Sequence, residues 1–316
     1  MIKLSIIIPH YNSPKMLKKL LSTIPKISEI QIVVVDDLSD KNINAYLQVK
    51  ETNKGVVFLE NTTGIKGAGA CRNIGLDVAQ GDWVLFADSD DYFLNGFYGK
   101  LSKYFDTDND VVFFVPTSYD LVSNKISDRH SKYEKLILDY LNNGDEDSEA
   151  KLRYEFLVPW TKLINNEFIR SNHLCFDEVL ASNDVMFSTK VGHKLKKFAA
   201  SDEKIYCVTR SKGTLTRNIS EIVFDSRLFV HIEYCKFVKS NLKKTKWKNF
   251  RLDGRTYIIA AIKQKYGFKK VIWTFYTLKK NRIKIMDAKF LNPVTLLNKI
   301  IYVNREYKRN NKYFKD

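Results

Sequence analysis

The feature that most constrains this chain is an alternation in its first hundred residues between short β-branched runs and stretches with helical spacing. The runs Leu4–Pro9, Ile30–Val35, Val56–Leu59, Trp83–Ala87 and Val111–Val115 are nearly all apolar and are closed by Asp, Asn or Pro. Continuous apolar runs of this length suit strands buried on both faces, as in a parallel sheet covered by helices. The alternation therefore predicts βαβ units and an α/β fold with a mostly parallel central sheet flanked by helices. Between the first two runs, Ser13 can cap a helix that has Pro14 at its first position and Leu17, Leu20 and Leu21 on its inner face. A second helix is expected over 68–79, ending at Gly81, with Cys71, Ile74 and Val78 inward.

Charge divides the chain. Lys and Arg number 52 against 36 Asp and Glu, yet residues 1–200 hold 24 basic and 27 acidic side chains while residues 201–316 hold 28 and 9. A composition that is 44% hydrophobic, with 13 Gly and 6 Pro in 316 residues, excludes a disordered or collagenous chain. Four scattered cysteines without a CxxC pair, and five histidines never at zinc-ligand spacing, argue against a disulfide scaffold and a structural zinc. The apolar run after the N-terminus stops at Pro9, and nowhere do 18 apolar residues run together, so a cytosolic protein with reduced thiols is expected. From about residue 131 the pattern turns mostly helical, interrupted by the acidic turn at 145–147 and short segments at 158–164 and 205–208. Charge and pattern place a boundary near 220. Residues 1–220 then form the α/β domain and 221–316 a basic helical extension, with helices at 221–241, 252–264, 268–281 and 293–303.

Two of the predicted strands finish in clustered carboxylates. Asp88-Ser89-Asp90-Asp91 follows Trp83–Ala87, and Asp36-Asp37 follows Ile30–Val35. Acidic side chains at the carboxyl ends of such strands sit where open α/β sheets bind ligands. Packing them together costs repulsion that a hard divalent cation, Mn²⁺ or Mg²⁺, would relieve, with substrate phosphates completing its shell. Each cluster also has a plainer reading as a cap for the helix that follows. Gly64 to Gly75 is neither a dinucleotide fingerprint nor a P-loop, since Arg72 stands where a third glycine is needed. It does offer a small-residue entry to a helix, with Lys66 and Arg72 near a diphosphate or a base edge.

At this point the chain resembles glycosyltransferase family 2, enzymes of the GT-A fold, which is Rossmann-like. Four segments carry the likeness, in order. Ser5–Asn12 resembles the family's opening strand and loop, Val35-Asp36-Asp37-Leu38-Ser39 its nucleotide-binding strand end, Gly69–Gly75 its Arg-Asn-x-Gly helix, and Asp88-Ser89-Asp90-Asp91 its DxD motif. Downstream, Trp160-Thr161-Lys162-Leu163 resembles an acceptor-side segment and Asn183-Asp184-Val185-Met186-Phe187 the family's Glu-Asp-x-x-Phe, with Asn183 in place of the Glu. Tyr206 to Thr214 resembles the tail of the same domain, so the likeness covers about residues 3–220.

The resemblance implies an inverting transfer of a sugar from a nucleoside diphosphate, UDP in the family's commonest usage, to an acceptor hydroxyl. It implies a cation at Asp90, with Asp88 toward the ribose or the metal, and a donor pocket drawn from Pro9, Tyr11, Asn12, Asp36, Asp37, Lys66, Arg72, Asp88, Ser89 and Arg210. Lys212 and Arg217 are further candidates to close over the diphosphate. Asp184 would be the base, although Ser182-Asn183-Asp184 also reads as a helix start; Trp160 and Lys162 would meet the acceptor, although Trp160 beside Pro159 also reads as core. The implied setting is bacterial capsule, lipopolysaccharide or a similar surface glycan, with a glycan or lipid-linked acceptor. A catalytically inactive binding or scaffold protein of the same fold is the alternative from another class, and the presence of both Asp90 and Asp184 speaks against it. A nucleotidyltransferase lacks support, because its glycine- and arginine-rich signature is missing after the first strand.

The basic third alternates Lys clusters with aromatics, as in Phe268-Lys269-Lys270-Val271-Ile272-Trp273-Thr274-Phe275-Tyr276. An anionic membrane surface, reached from the cytoplasm, fits this pattern better than nucleic acid, for which no binding module is present. An ordinary helical subdomain with solvated lysines is the plainer reading.

Overall fold

The computed structural model describes residues 1–210 and 220–285. The expected segments at 211–214 and 293–303, and Lys212 and Arg217, lie outside the described residues. Two compact units are present, one made of residues 1–218 with 222–248, the other of 219–221 with 249–316.

The larger unit is built on one mixed sheet. Its strands are β1 (Leu4–His10), β2 (Ile30–Asp36), β3 (Val57–Glu60), β4 (Trp83–Phe86), β5 (Tyr92–Phe93), β6 (Val111–Asp120), β7 (Lys125–Ile126), β8 (Lys162–Asn165) and β9 (Phe198–Arg210). They lie in the order β3-β2-β1-β4-β8-β6-β9-β5, with β7 folded back on β6. The half from β3 to β4 is parallel, as the alternation predicts. The other half differs: β8 runs antiparallel to both β4 and β6, while β6 and β9 are parallel. The 13-residue strand β9 extends well beyond the apolar segment at 205–208, because its first half carries Ser201-Asp202-Glu203-Lys204 through an irregularity in the β6 pairing near Val115. A bulge accommodates polar residues and Pro116 within a strand, which hides the strand from a pattern search.

Side chains alternate across the sheet and bury two cores. Ile6, Ile8, Val34 and Leu85 face α1 (Pro14–Ser22), α2 (Ile43–Thr52) and α4 (Phe97–Ser102). Ile7, Val84, Phe86 and Phe113 point the other way, into a core shared with α5 (Ser131–Asn143), α6 (Glu146–Glu155), α7 (Asn166–Ser171) and α8 (Asn183–Lys194). Also on this face, α3 (Ala68–Asp77) lays Cys71 and Ile74 against Val33 and Val35. Each fully buried large side chain contributes about 1.5–3 kcal/mol. Phe176 and Phe187, stacked at 3.9 Å with Phe86 edge-on, fasten α8 to the sheet.

The helix α9 (Glu221–Asn241) packs, from Ile222 onward, with this larger unit, as does the short α10 (Lys244–Trp247). The Tyr234 hydroxyl donates to the Tyr154 carbonyl (3.0 Å), and Ser226 bonds the backbone of Ala181 on both sides. The charge-based boundary at 220 thus falls one long helix before the division at 248. In the smaller unit, α11 (Arg255–Lys263) and α12 (Phe268–Lys280) form a hairpin around Leu252, Ala261, Leu278 and Ile283.

Candidate active site

The carboxyl ends of β1, β2 and β4 open on one edge of the sheet, where the strand order turns outward in both directions. At the end of β2, Asp36 is buried. It accepts from His10 Nδ1 (2.7 Å), from the Ser39 hydroxyl (2.6 Å) and from the Ser39 N–H (2.8 Å). Burial would raise this carboxyl, but the hydrogen bonds from His10 and Ser39 outweigh it and hold it low. His10 Nε2 accepts from the Ser13 N–H (3.2 Å) and its ring stacks on Tyr46. Asp36 is therefore spent inside the protein, tying two strand-end loops together. Its neighbour Asp37 takes a bond from Asn61 Nδ2 (2.7 Å), and Asn61 also holds the Ile65 carbonyl (2.8 Å) at the edge of the glycine-rich loop. Asn61 was not singled out by the sequence pattern, although it closes β3 much as the carboxylates close β2 and β4.

Asn12 latches the β1 loop to the next one, its Oδ1 accepting from the N–H groups of Asp40 (3.0 Å) and Lys41 (2.8 Å). Pro9 is buried within β1, whereas Tyr11 is exposed with Lys66 Nζ 5.2 Å from its ring centre. Asn12 and Leu38 both adopt left-handed backbone (φ 51° and 57°), a conformation costly for Leu, and Ser182 before α8 does the same (φ 63°). These three residues lie in the loops that shape this edge, while the same backbone also occurs at Asn124 and His173 in other loops of the larger unit.

The acidic turn is clipped by β9. Asp91 is buried and accepts from the Tyr206 hydroxyl (2.8 Å) and the Thr209 N–H (2.7 Å), and the same Tyr206 oxygen accepts from the Asp88 N–H (2.8 Å). The Thr209 hydroxyl donates to the Asp90 carbonyl (2.6 Å). Asp91 is thus the anchor of the turn, leaving Asp88 and Asp90 for other work. Burial, then the charge of Asp88, pushes the Asp90 carboxyl up to about 6. Among the described residues, the cation whose charge reaches Asp90 is Arg129, which donates to the Thr209 carbonyl. Arg210, the basic residue singled out from sequence, turns to Asp128 instead (3.5 Å). Ser89 pairs its hydroxyl with that of Ser13 (3.1 Å).

Arg72 joins the two halves. Buried on α3, it donates through one nitrogen to Asp88 Oδ1 (2.6 Å) and through the other to Asn183 Oδ1 (2.7 Å). Asn73 clamps the backbone of Phe176 from both sides (3.0 and 2.8 Å), and a Cβ on Gly69 would stand 2.3 Å from the Asp177 carbonyl. The small residues of this segment thus let α3 approach the loop leading into α8. Asp184, half-buried in the first turn of α8, has its carboxyl raised by burial, against which the charges of Arg72 and Lys162 pull downward. Ser182, not Asp184, occupies the cap position, and its side chain makes no capping bond.

Trp160 and Lys162, the expected acceptor contacts, are buried core residues in the structure. Trp160 packs parallel to the Tyr206 ring (6.2 Å between centres), and Lys162 Nζ donates to the Phe156 carbonyl (2.6 Å) beside the Phe113 and Phe156 rings. Burial drives the Lys162 ammonium down to about 7, opposed by the charge of Asp184. Enclosed by apolar side chains, these residues support the site from beneath.

The sequence profile of Glycosyl transferase family 2 matches residues 5–176, more than half of the chain. The chain belongs to glycosyltransferase family 2. Among its relatives in the family, the poly(ribitol-phosphate) beta-glucosyltransferase of Bacillus spizizenii is 29% identical over 67% of this chain and 33% of its own. TarS of Staphylococcus aureus, a poly(ribitol-phosphate) beta-N-acetylglucosaminyltransferase, is 28% identical over 67% and 36%. The chain therefore spans about a third of the length of these two family 2 proteins. A Campylobacter jejuni GalNAc(5)-diNAcBac-PP-undecaprenol beta-1,3-glucosyltransferase matches end to end, 21% identical over 93% of this chain and 92% of its own. Among solved structures, S. aureus TarS 1–349 in complex with UDP-GlcNAc superposes with a TM-score of 0.57 over 83% of this chain and 80% of its own, at 20% identity. A Pyrobaculum calidifontis mannosyltransferase in complex with GDP-Man and Mn²⁺ does so at 0.57 over 98% and 82%, at 14% identity. Both share the fold with this family 2 chain.

The family 2 acidic turn suits a divalent cation. Burial and the neighbouring charge of Asp88 raise the cost of ionising Asp90, which a hard cation would reverse. Among the described residues no three Asp, Glu, His or Cys side chains close around one point, so oxygen ligands from a substrate would have to complete the shell.

Proposed function

We propose that this family 2 protein transfers a sugar from a nucleoside diphosphate, UDP by preference, to a hydroxyl of a glycan or lipid-linked acceptor, with inversion. The observation that carries the reading is the Arg72 bridge, which holds Asp88 of the acidic turn and Asn183 at the start of α8 on one guanidinium. It ties the acidic turn, which would face a diphosphate, to the start of the helix that carries Asp184.

In a single displacement the acceptor oxygen attacks the anomeric carbon as the bond from that carbon to the diphosphate breaks. The hydroxyl proton passes to the Asp184 carboxylate. A positioned base of this kind contributes about 10²–10⁴-fold. Asp37 and the loops from β1 and β2 would hold the nucleoside, with Lys66 and Tyr11 at the rim. Asp90 and Asp88 would hold Mn²⁺ or Mg²⁺, which when bound would supply positive charge against the leaving diphosphate. The lipid-linked acceptor named for the Campylobacter relative and the polymer acceptors named for the other two support a role in bacterial surface-glycan synthesis; capsule or lipopolysaccharide is the setting proposed within it. Such an acceptor places the protein peripherally on the cytoplasmic face of the cell membrane.

UDP release from UDP-GlcNAc and UDP-glucose with Mn²⁺ tests the reading. Asp184→Asn is expected to lose about two or more orders of magnitude in turnover while still gaining thermal stability from UDP. Asp90→Ala is expected to lose both turnover and the Mn²⁺-dependent part of that stabilisation. Wild-type turnover in Asp184→Asn would remove it from the role of base.

A further inference from the structure

The helix α12 has two unlike sides. Thr274 and Leu278 are buried in the smaller unit, and the Thr274 hydroxyl is turned back onto the Lys270 carbonyl (2.8 Å). On the opposite arc Phe268, Ile272, Phe275 and Tyr276 are 79%, 51%, 47% and 65% exposed. Their spacing of i, i+4, i+7 and i+8 puts all four on one stripe about 100° wide. Lys279 projects from the same stripe, and Lys269 and Lys280 follow along its border, both exposed. Beyond them Lys270 Nζ sits 4.2 Å from the centre of the Trp273 ring.

Single exposed apolar residues need no explanation, but four large ones in one stripe, three of them aromatic, do. The surroundings narrow what could cover them. Residues 249–285 contain ten Lys or Arg and one acidic residue, Asp253, and Glu221 of the same unit pairs with Lys270 (3.5 Å). A partner surface must therefore be apolar in the middle and anionic at its rim. Nucleic acid presents phosphates but no continuous apolar layer to take up Ile272 and Phe268 together. The interface of an anionic bilayer presents both, with acyl chains beneath a negatively charged headgroup layer, and long lysine side chains reach back up to that layer. No helix among the described residues is long and apolar enough to cross a membrane, so a helix lying in the interface is the geometry left to α12.

We propose that the Phe268–Ile272–Phe275–Tyr276 face of α12 is a membrane-contact surface that inserts shallowly into anionic lipid, with Lys269, Lys279 and Lys280 engaging the headgroups. It deepens the reading of a membrane-borne acceptor, while the lipid contact itself stands on the helix face and not on the transfer reaction.

The test is co-sedimentation of the full chain with vesicles of phosphatidylglycerol and phosphatidylcholine, against phosphatidylcholine alone. The expected result is pelleting with the anionic vesicles only, lost at about 1 M salt, where the Debye length is about 3 Å. Replacing all three lysines (Lys269→Glu, Lys279→Glu, Lys280→Glu) should weaken binding about tenfold or more. Replacing the stripe (Phe268→Ser, Phe275→Ser, Tyr276→Ser) should do the same while leaving Thr274 and Leu278 in their core. Circular dichroism and the UDP-induced thermal shift should be unchanged in both variants. Binding to neutral vesicles as strongly, pelleting untouched by either set of changes, or no pelleting at all would overturn the proposal. So would binding to a single-stranded RNA oligomer, or self-association, that the same variants abolish while vesicle binding is absent. Normal pelleting by a protein that never releases UDP would instead condemn the transfer reading alone.

Discussion

At the scale of single residues, the site turns on how one guanidinium is shared. Arg72 meets a carboxylate at Asp88 and a neutral amide at Asn183, so one of its two partners supplies no charge. Among the described residues, the groups whose charges reach Asp184 are Arg72 and Lys162, which pull its carboxyl down, and Asp88, which adds to the upward push of burial. Burial wins, so Asp184 ionises above the ordinary carboxylate range near 4. A base works in its ionised form, so kcat/KM should fall as pH drops through that raised value, earlier than for an ordinary carboxylate. Asn183→Glu places a second carboxylate on Arg72 and a like charge next to Asp184. The acidic limb of kcat/KM is then expected to move to higher pH by roughly one unit, with kcat on the plateau changed less. The pH profile of UDP release checks this, and an unmoved limb would mean that Arg72 and Asn183 do not act on the base.

At the scale of elements, what brings Asp184 to the acidic turn is the close seating of α8, and that seating depends on a glycine. The Gly192 carbonyl accepts from Arg153 Nε on α6 (2.8 Å), and a Cβ at Gly192 would stand 1.8 Å from the Arg153 carbonyl oxygen. No rotamer change relieves a clash with backbone, so Gly192→Ala must part the two helices. The expected cost is about 1–3 kcal/mol, read as a lower urea midpoint. Gly99→Ala on α4, where a Cβ would meet nothing within 4 Å, should be neutral or stabilising by about 0.5–1 kcal/mol. Equal midpoints for the two would show that α6 and α8 can separate freely. These elements also show how far sequence carries. The parallel half of the sheet and the helices at Pro14 and Ala68 were legible because their apolar patterns are local and uninterrupted. The first half of β9 was not, since its polar residues pair through a bulge, nor was the buried Lys162, whose charge gives no sign that its amine ends on the Phe156 carbonyl. The anchoring role of Asp91 and the approach of Arg129 to Asp90 depend on β9, more than a hundred residues away from the acidic turn, and no spacing rule within the turn reveals it.

At the scale of the whole molecule, the charge asymmetry of the sequence follows the division of structure only in part, since the basic residues of α9 and α10 belong to the larger unit. The carboxylates of the candidate site all belong to the larger unit, and the exposed basic and aromatic helix α12 belongs to the smaller one. If the two units serve different ligands, each ligand should stabilise its own unit. A ligand present at about 100 times its Kd adds about 2.7 kcal/mol to the unit that holds it. Scanning calorimetry of the full chain is expected to show UDP with Mn²⁺ raising the transition of the larger unit, while the transition of the smaller one stays in place. Anionic vesicles should act on the smaller unit's transition and leave the UDP-sensitive one where it was. The assignment can be made within the same chain, because Asp90→Ala should abolish the first shift and the three lysine replacements on α12 the second. A single transition that UDP moves as a whole would show instead that the two units unfold together. In that case the charge boundary separates two surfaces of one cooperative structure, and the lysines would be expected to influence nucleotide binding through salt-dependent attraction of the anionic donor.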